Sequence, residues 1–467
     1  MKKKNIIYYS ILFVIIIVYL GIKSTNLEYS FSDENTYFYM GKLVADGNLP
    51  YKDFFLSHPP LQIFFLALVF KIFGFNFVLL KLLPTLFTVI TVFFIFLIMK
   101  KFNGVYSILS IILFFFSYDC LRFSTYNMGV NLALMFLIIG FYLFFIKKNF
   151  FFSGILFGLA GLTRFIALIP FLVILIFLLI KNRKLFLKFL AGFSVIFILI
   201  NLILILAFGN KYILDVFKYH FLKPKTAGER KFAIFYRMIK LNILLFLPTL
   251  FFFVDKKRKQ ISMVALISVI YLLFLISLNK IFGYYFMILF PSLAILGSFS
   301  LINILEKIKI NKKIVYSVLF IVIIIFSFFS VRNYINYDYQ NFNNVEEISE
   351  FIRLNSDENE EIFGDDSTVP LLALLSERNI ALKFADSNNL RFRSGITDIN
   401  KVIDELRIEG VKFIINYKED IGKITAIYGP MYMDEFSDYV NDDCRLEKSF
   451  SDFWDNREKV IEVYDCK

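Results

Sequence analysis

The chain has only three cysteines, two histidines and one tryptophan among its 467 residues. No cysteines form a Cys-x-x-Cys pair, and two histidines make no His-rich cluster, so a zinc-finger pattern is absent. Acids are scarce over positions 1–331, with 10 against 35 Lys and Arg. Apolar residues dominate instead, at 58% of the chain with 62 Phe. A soluble domain is about half apolar and does not repeat apolar stretches of membrane-crossing length, so an ordinary soluble enzyme is excluded. The formal charge of +12 is segregated, at +25 for 1–331 and −13 for 332–467. The basic excess therefore belongs to membrane loops, which speaks against nucleic acid as a partner.

Apolar runs at 6–22, 77–99, 104–122, 129–146, 150–180, 185–208, 241–254, 261–278, 282–305 and 314–331 are candidate spans. The run 150–180 is too long for one straight helix and reads as two short ones turning near Thr163-Arg164, which brings the expected total to eleven. Basic clusters at Lys2–Lys4, Lys100-Lys101, Lys147-Lys148, Lys181 with Arg183-Lys184, Lys256–Lys259, and Lys307 with Lys309, Lys312 and Lys313 then fall in alternate short loops. The positive-inside rule places those loops and the N-terminus in the cytoplasm. The segment 59–74 would reach only roughly 24 Å as a helix and is expected to lie in the outer interface. A multi-pass protein of the cell membrane is predicted, with a first external loop at 23–76, another at 209–240, and an extracytoplasmic tail. The expected domains are 1–331 in the membrane and 332–467 outside it.

The tail reads as a small α/β layer: helices at Val345–Leu354, Val369–Leu375 and Ile399–Ile408, with strands at Glu361–Phe363, Ile380–Lys383 and Val411–Ile415. Two last strands, Arg445–Phe450 and Lys459–Tyr464, would pair about Asp455 and set Cys444 opposite Cys466. A disulfide there and two separate thiols are both open.

Chemistry-bearing residues concentrate in the first loop, in Ser32-Asp33-Glu34-Asn35-Thr36-Tyr37, Gly47-Asn48-Leu49-Pro50-Tyr51-Lys52-Asp53 and His58-Pro59-Pro60-Leu61. Ser32 can cap a helix whose first turn holds Asp33 and Glu34. The helix dipole alone favours acids there. The functional reading is a carboxylate base at the lipid–water boundary, with its pKa moved toward working pH by partial burial.

Together these motifs resemble the first external loop of the GT-C glycosyltransferases, nearest to the family 39 protein O-mannosyltransferases and the lipid A aminoarabinose transferases. Gly158–Arg164, Tyr219–Pro224, Tyr284-Tyr285 with Pro291, and Phe363–Ser367 with Ala373–Ser376 resemble further segments of such enzymes. The resemblance implies a GT-C membrane fold and an inverting transfer of sugar from a polyprenyl-phosphate carrier to a hydroxyl acceptor on a protein, a lipid-linked glycan or a glycolipid. It implies Asp33 as the base, with Glu34 positioning the acceptor or helping to hold a divalent cation. Any such cation would sit among Asp33, Glu34 and His58. The donor phosphate needs fixed positive charge, for which His58, Arg164, His220 and Lys223 are candidates. Tyr284, Tyr285, Arg122 and Tyr126 are candidate cavity residues. Against these stand plain structural roles: snorkelling for Arg164, a solvated face for His220 and Lys223, and an aromatic belt for the tyrosines.

The chain departs from many relatives at Arg122–Gly129, where Asn127 stands near the place of a second acid. Asp119 lies about two helical turns earlier, and its plainer reading is a span-end partner of Arg122. The alternative function is a transporter or flippase of lipid-linked sugars, which should carry mid-membrane charges and repeated halves with broken helices.

Overall fold

The computed structural model describes residues 2–25, 27–224, 228–255, 258–307, 311–336, 341–421, 424–427, 429–454 and 457–466. Lys256, Lys257, Lys309 and the turn at Asp455 lie outside the described residues.

Apolar segments become helices because a bilayer offers the backbone no partner, so every N–H must find a carbonyl within its own segment. Among the described residues, five helices are long and apolar enough to cross a membrane: Asn5–Lys23, Phe77–Lys100, Val130–Lys147, Arg183–Leu222 and Ile314–Ile335. The count rises to six if Gly228–Leu241 and Ile243–Phe253, bent by 83°, are taken as one span. The protein is thus a multi-pass membrane protein. The expected eleven requires shorter apolar helices to count as spans, such as Gly104–Phe115, Phe150–Thr163 and Ser262–Ser277. A helix of about 14 residues reaches roughly 21 Å, less than the roughly 30 Å of a hydrocarbon core, so length alone does not establish that total.

The run 150–180 breaks where the sequence predicts. Helix Phe150–Thr163 ends at Arg164, which is extended, and a single 3-10 turn leads into Leu168–Lys181. The loop expected at 209–240 is largely helical instead. After a non-helical Gly209 the chain continues as helix to Leu222, and Gly228–Leu241 forms another. Gly209, at φ +58°, takes up the kink that a periodicity reading takes for a terminus.

The chain divides into two compact units. One comprises Met1–Leu27, Lys81–Ile203 and Thr226–Tyr337. Within it, helices Phe150–Thr163 and Arg183–Phe193 touch backbone to backbone. A Cβ on Gly154 would stand 2.1 Å from the Phe189 carbonyl oxygen, and one on Gly192 would stand 1.9 Å from that of Phe151. Small residues permit such close crossings between membrane helices.

The other unit comprises Glu28–Leu80, Leu204–Lys225 and Asp338–Lys467. It holds a six-stranded sheet of order β2-β1-β3-β6-β5, with β4 beside β3. The strands are β1 (Glu361–Gly364), β2 (Asn379–Ile380), β3 (Phe413–Ile421), β4 (Ile424–Ile427), β5 (Arg445–Trp454) and β6 (Arg457–Asp465). β1 runs parallel to β2 and β3, while β6 is antiparallel to β3 and β5. The strand expected over Ile380–Lys383 stops at Ile380, because Leu382 and Lys383 have positive φ and the chain turns in a 3-10 helix. Arg445 pairs with Asp465, so Cys444 and Cys466 flank the last rung and form a disulfide of 2.12 Å. Phe363, Ile414, Leu406, Phe436 and Val440 lie in the core on one side of the sheet.

Candidate active site

In the second unit the first loop is bound to the sheet domain by specific contacts. Ser30 bridges to Asn341, and Phe31 stacks on Phe342 at 4.2 Å and on Tyr417 at 4.5 Å. Helix Glu34–Ala45 follows. Asn35 Nδ2 donates to the carbonyls of Ser30 (2.8 Å) and Ser367 (2.7 Å), Thr36 Oγ1 to that of Asp366 (2.6 Å), and the Ile380 amide to Tyr39 Oη (2.8 Å). The N-cap is Asp33 rather than Ser32, and its side chain makes no capping bond. Ser32 Oγ instead accepts from the Glu34 amide at 3.4 Å. Asp33 is exposed, whereas Glu34 is fully buried with Ser30 Oγ 3.5 Å away. The two adjacent acids therefore sit in opposite environments.

The turn held by Asn35 and Thr36 carries further acids. Asp365 is structural: its carboxylate accepts from the Ser367 and Thr368 amides and both hydroxyls, closing the turn before helix Val369–Ser376. Gly429 passes so closely that a Cβ would lie 2.6 Å from Asp365 Cα. Asp366 is buried and accepts from Asn388 Nδ2 at 3.1 Å. Burial first, then the charges of Asp386, Asp33 and Asp365, hold its carboxyl well above the usual range. Burial also raises Asp386, against the opposing charges of Arg391 and Lys223.

Arg391 binds the segments together. Its guanidinium lies over the rings of Phe384 (3.8 Å) and Phe55 (4.3 Å) and donates to the Asp386 carbonyl and to Thr397 Oγ1, both at 2.8 Å. Burial lowers its pKa to about 10, against the pull of Asp386, Asp215 and Tyr219.

The two histidines, 162 positions apart, meet face to face with ring centroids 5.2 Å apart. His220 Nε2 donates to the Ser57 carbonyl at 2.8 Å, Tyr51 Oη to the His58 carbonyl at 2.7 Å, and Tyr37 stands 6.1 Å from His58. Lys223 lies over the Tyr219 ring at 4.3 Å, and Tyr219 packs edge-on against Phe55. The unit thus gathers His58, His220, Lys223 and Arg391 with Asp33, Asp366 and Asp386. Among the described residues no group of three or more His, Cys, Asp or Glu side chains is placed to hold a metal ion. Asp33, Glu34 and His58 are therefore not gathered as the expected cation site, since Glu34 is buried while Asp33 is exposed.

Sequence reading missed Asp386 and Arg391 and named Asp366 only within a longer stretch. The tail carries 29 acids, so no single one stands out, and 384–393 has neither a motif nor a strong periodicity. The only signal was Arg391 in a segment rich in Asn and Ser.

The remaining expected residues lie in the first unit. Arg164 is buried, with Nε donating to the Met128 carbonyl at 2.6 Å. Arg122 lies over Phe123, and Phe123 packs edge-on against both Tyr126 (5.9 Å) and Tyr284 (6.2 Å). Tyr285 stands 5.0 Å from Tyr284, and its carbonyl accepts from Tyr271 Oη at 2.9 Å. Asp119 pairs with Asn242, accepting at 2.5 Å from its Nδ2 and donating its own amide to Oδ1 at 3.0 Å. Lys23 is buried too, on Tyr334 Oη at 2.8 Å and the Leu121 carbonyl.

Residues 57–208 match the family model described as dolichyl-phosphate-mannose-protein mannosyltransferase. No curated protein matches the chain significantly. Among solved structures, ArnT from Cupriavidus metallidurans bound to undecaprenyl phosphate matches at a TM-score of 0.67 and 11% identity, over 99% of this chain and 98% of that one. Its apo form matches at 0.65. The mycobacterial arabinofuranosyltransferase AftD matches at 0.51 and 12% identity, over 97% of this chain and 41% of that one. By this match and this fold, the chain is similar to the GT-C glycosyltransferases that its first loop resembles.

Proposed function

We propose that the protein is a membrane glycosyltransferase that moves a sugar from a polyprenyl-phosphate carrier to a hydroxyl acceptor at the outer face. The family match over 57–208 and the ArnT-like fold along the whole chain support this reading. ArnT was solved with undecaprenyl phosphate bound, and a carrier of that class is the donor proposed here. A donor with a long isoprenoid tail also suits a chain made largely of membrane helices.

The observation that carries the assignment of the base is the contrast at the start of helix Glu34–Ala45. Asp33 is exposed, while Glu34, Asn35 and Thr36 are buried and the last two are hydrogen-bonded to the 366–367 turn. A base must be accessible to its substrate and fixed in position, and the exposure of Asp33 beside the anchored Asn35 and Thr36 supports that role. The acceptor oxygen attacks the anomeric carbon from the face opposite the phosphate while its proton passes to an Asp33 oxygen. The bond from the anomeric carbon to the phosphate oxygen breaks, and polyprenyl phosphate leaves with the electron pair. Configuration at that carbon is inverted.

Charge accumulates on the phosphate oxygens as this bond breaks, and cations fixed beforehand stabilise it without reorganising. His58, His220 and Lys223 are the proposed groups in the unit that carries Asp33, while Arg391 keeps Asp386 compensated beside them. Arg164, Arg122, Tyr126, Tyr284 and Tyr285 are proposed as donor-binding or cavity residues on the strength of the motif resemblance. Glu34, being buried, holds the helix end rather than touching the acceptor. The tail is proposed to stand on the outer side with the base.

A panel of radiolabelled polyprenyl-phosphate sugars, offered to purified protein in lipid with a crude membrane extract as acceptor, tests this reading. Label passing to a hydroxyl-bearing product supports it. Vectorial movement of intact donor across the bilayer without cleavage replaces it with a transporter.

A further inference from the structure

Helix Gly228–Leu241 carries Arg230, Lys231, Arg237 and Lys240 against one acid, Glu229. At 100° per residue its side chains sort into three faces. Met238, 1% exposed, forms the inner face with Lys231, Ile234 and Phe235. Phe235 packs on Phe286 at 5.1 Å, and Lys231 donates to the Leu278 carbonyl. Beside that face runs an apolar stripe of Phe232 (74% exposed), Tyr236 (58%) and Ile239 (43%). Next to it, and also exposed, runs a cationic stripe of Arg230, Arg237 and Lys240.

The helix ends at the 83° bend into the apolar segment Ile243–Phe253. Asn242 fixes this corner through its paired bonds with Asp119. With Ile243–Phe253 directed into the bilayer, Gly228–Leu241 must run close to the membrane plane. Neither bulk water nor hydrocarbon suits the two exposed stripes. Water would leave three large apolar side chains uncovered, and hydrocarbon would strip three cations of solvent. The headgroup layer satisfies both, with rings directed to the acyl boundary and cations at the level of the phosphates.

We propose that Gly228–Leu241 is a lipid-docking surface that recruits anionic phospholipid through Arg230, Arg237 and Lys240. The charge complementarity between three exposed cations and a lipid phosphate selects this occupant. The site is independent of the proposed transferase chemistry and holds whichever reaction the protein performs.

The test uses the full chain reconstituted in vesicles, with Trp454→Phe removing the sole native tryptophan and Phe232→Trp placing a reporter on the apolar stripe. Bulk phosphatidylcholine brominated on its acyl chains is expected to quench this reporter. Brominated phosphatidylglycerol, present as a minor lipid, is expected to quench it more strongly than an equal amount of brominated phosphatidylcholine. Each cation removed, by Arg230→Gln, Arg237→Gln or Lys240→Gln, should lower that enrichment by up to about five-fold. About 1 M salt, where the Debye length is roughly 3 Å, should abolish it without any change to the cations. A reporter that neither lipid quenches would overturn the proposal and leave a second copy or a soluble partner as the cover of the stripe. Equal quenching by both lipids, or a preference for the anionic lipid that survives both the triple substitution and high salt, would also overturn it.

Discussion

Asn35 Nδ2 donates to the carbonyl of Ser367 at 2.7 Å, across 332 positions of sequence. Thr36 repeats the connection to Asp366 at 2.6 Å. The residues immediately after the proposed base are therefore bound to a turn of the C-terminal domain, which acts as a scaffold for the first loop.

Removing this connection should cost both stability and turnover. Thr36→Val keeps the shape but deletes the donor to the Asp366 carbonyl, at a cost of about 1 kcal/mol. Thermal unfolding in detergent should show the loss. Transfer should fall through kcat more than through donor KM, because Asp33 shifts while the cations remain.

Arg391 tolerates no conservative replacement. Its planar group lies over Phe384 and Phe55 while donating to Thr397 and to the Asp386 carbonyl, and an ammonium cannot reproduce that geometry. Arg391→Lys should destabilise the protein by roughly 1–3 kcal/mol. Arg391→Leu should do more harm, since it leaves Asp386 without its main compensating charge. Denaturation midpoints of the two variants would rank them, and equal values would contradict the role of the Arg391 charge in compensating Asp386.

Asp366 should make stability depend on pH in a defined direction. Its folded-state pKa is raised by burial and by Asp386, Asp33 and Asp365, so the folded protein favours the neutral carboxyl. The associated stabilisation is complete below the ordinary carboxylate pKa of about 3.9 and is lost as pH rises through the raised value. Asp366→Asn retains an acceptor for Asn388 and removes the titration. Its melting temperature should match wild type near pH 4 and exceed it increasingly toward pH 8. A difference that does not change with pH would remove Asp366 from this role.

The Cys444–Cys466 bridge closes a loop of sequence separation 22 at the end of the β5–β6 hairpin. Its loss in Cys444→Ser should destabilise the sheet domain by about 3 kcal/mol on loop entropy alone. Reductant should lower the melting temperature of wild type and leave that of the variant unchanged.

Much of this fold was legible because its signals are local. The break at Thr163-Arg164, the helix Val345–Leu354 and the pairing that sets Cys444 opposite Cys466 follow from length, periodicity and strand symmetry. The helical continuation past Gly209 was not, because a glycine within a polar stretch reads as a terminus and only tertiary context makes it a kink. Asp33, His58, His220 and Lys223 were nameable as candidates because each stands within a motif, and all four fall in the second unit. Asp386 and Arg391 were not, because their significance comes from distant partners such as Phe55 and Asp215. The opposite burial of Asp33 and Glu34 was not legible either, because two adjacent acids on one helical turn do not reveal it.

The most direct test compares wild type with Asp33→Asn for transfer from a polyprenyl-phosphate sugar that the wild type accepts, with donor binding measured on the same samples. Asp33→Asn is expected to bind donor as wild type does and to form no product, because the shape is kept and the proton acceptor is gone. Wild-type turnover by Asp33→Asn would contradict the assignment of Asp33 as the base.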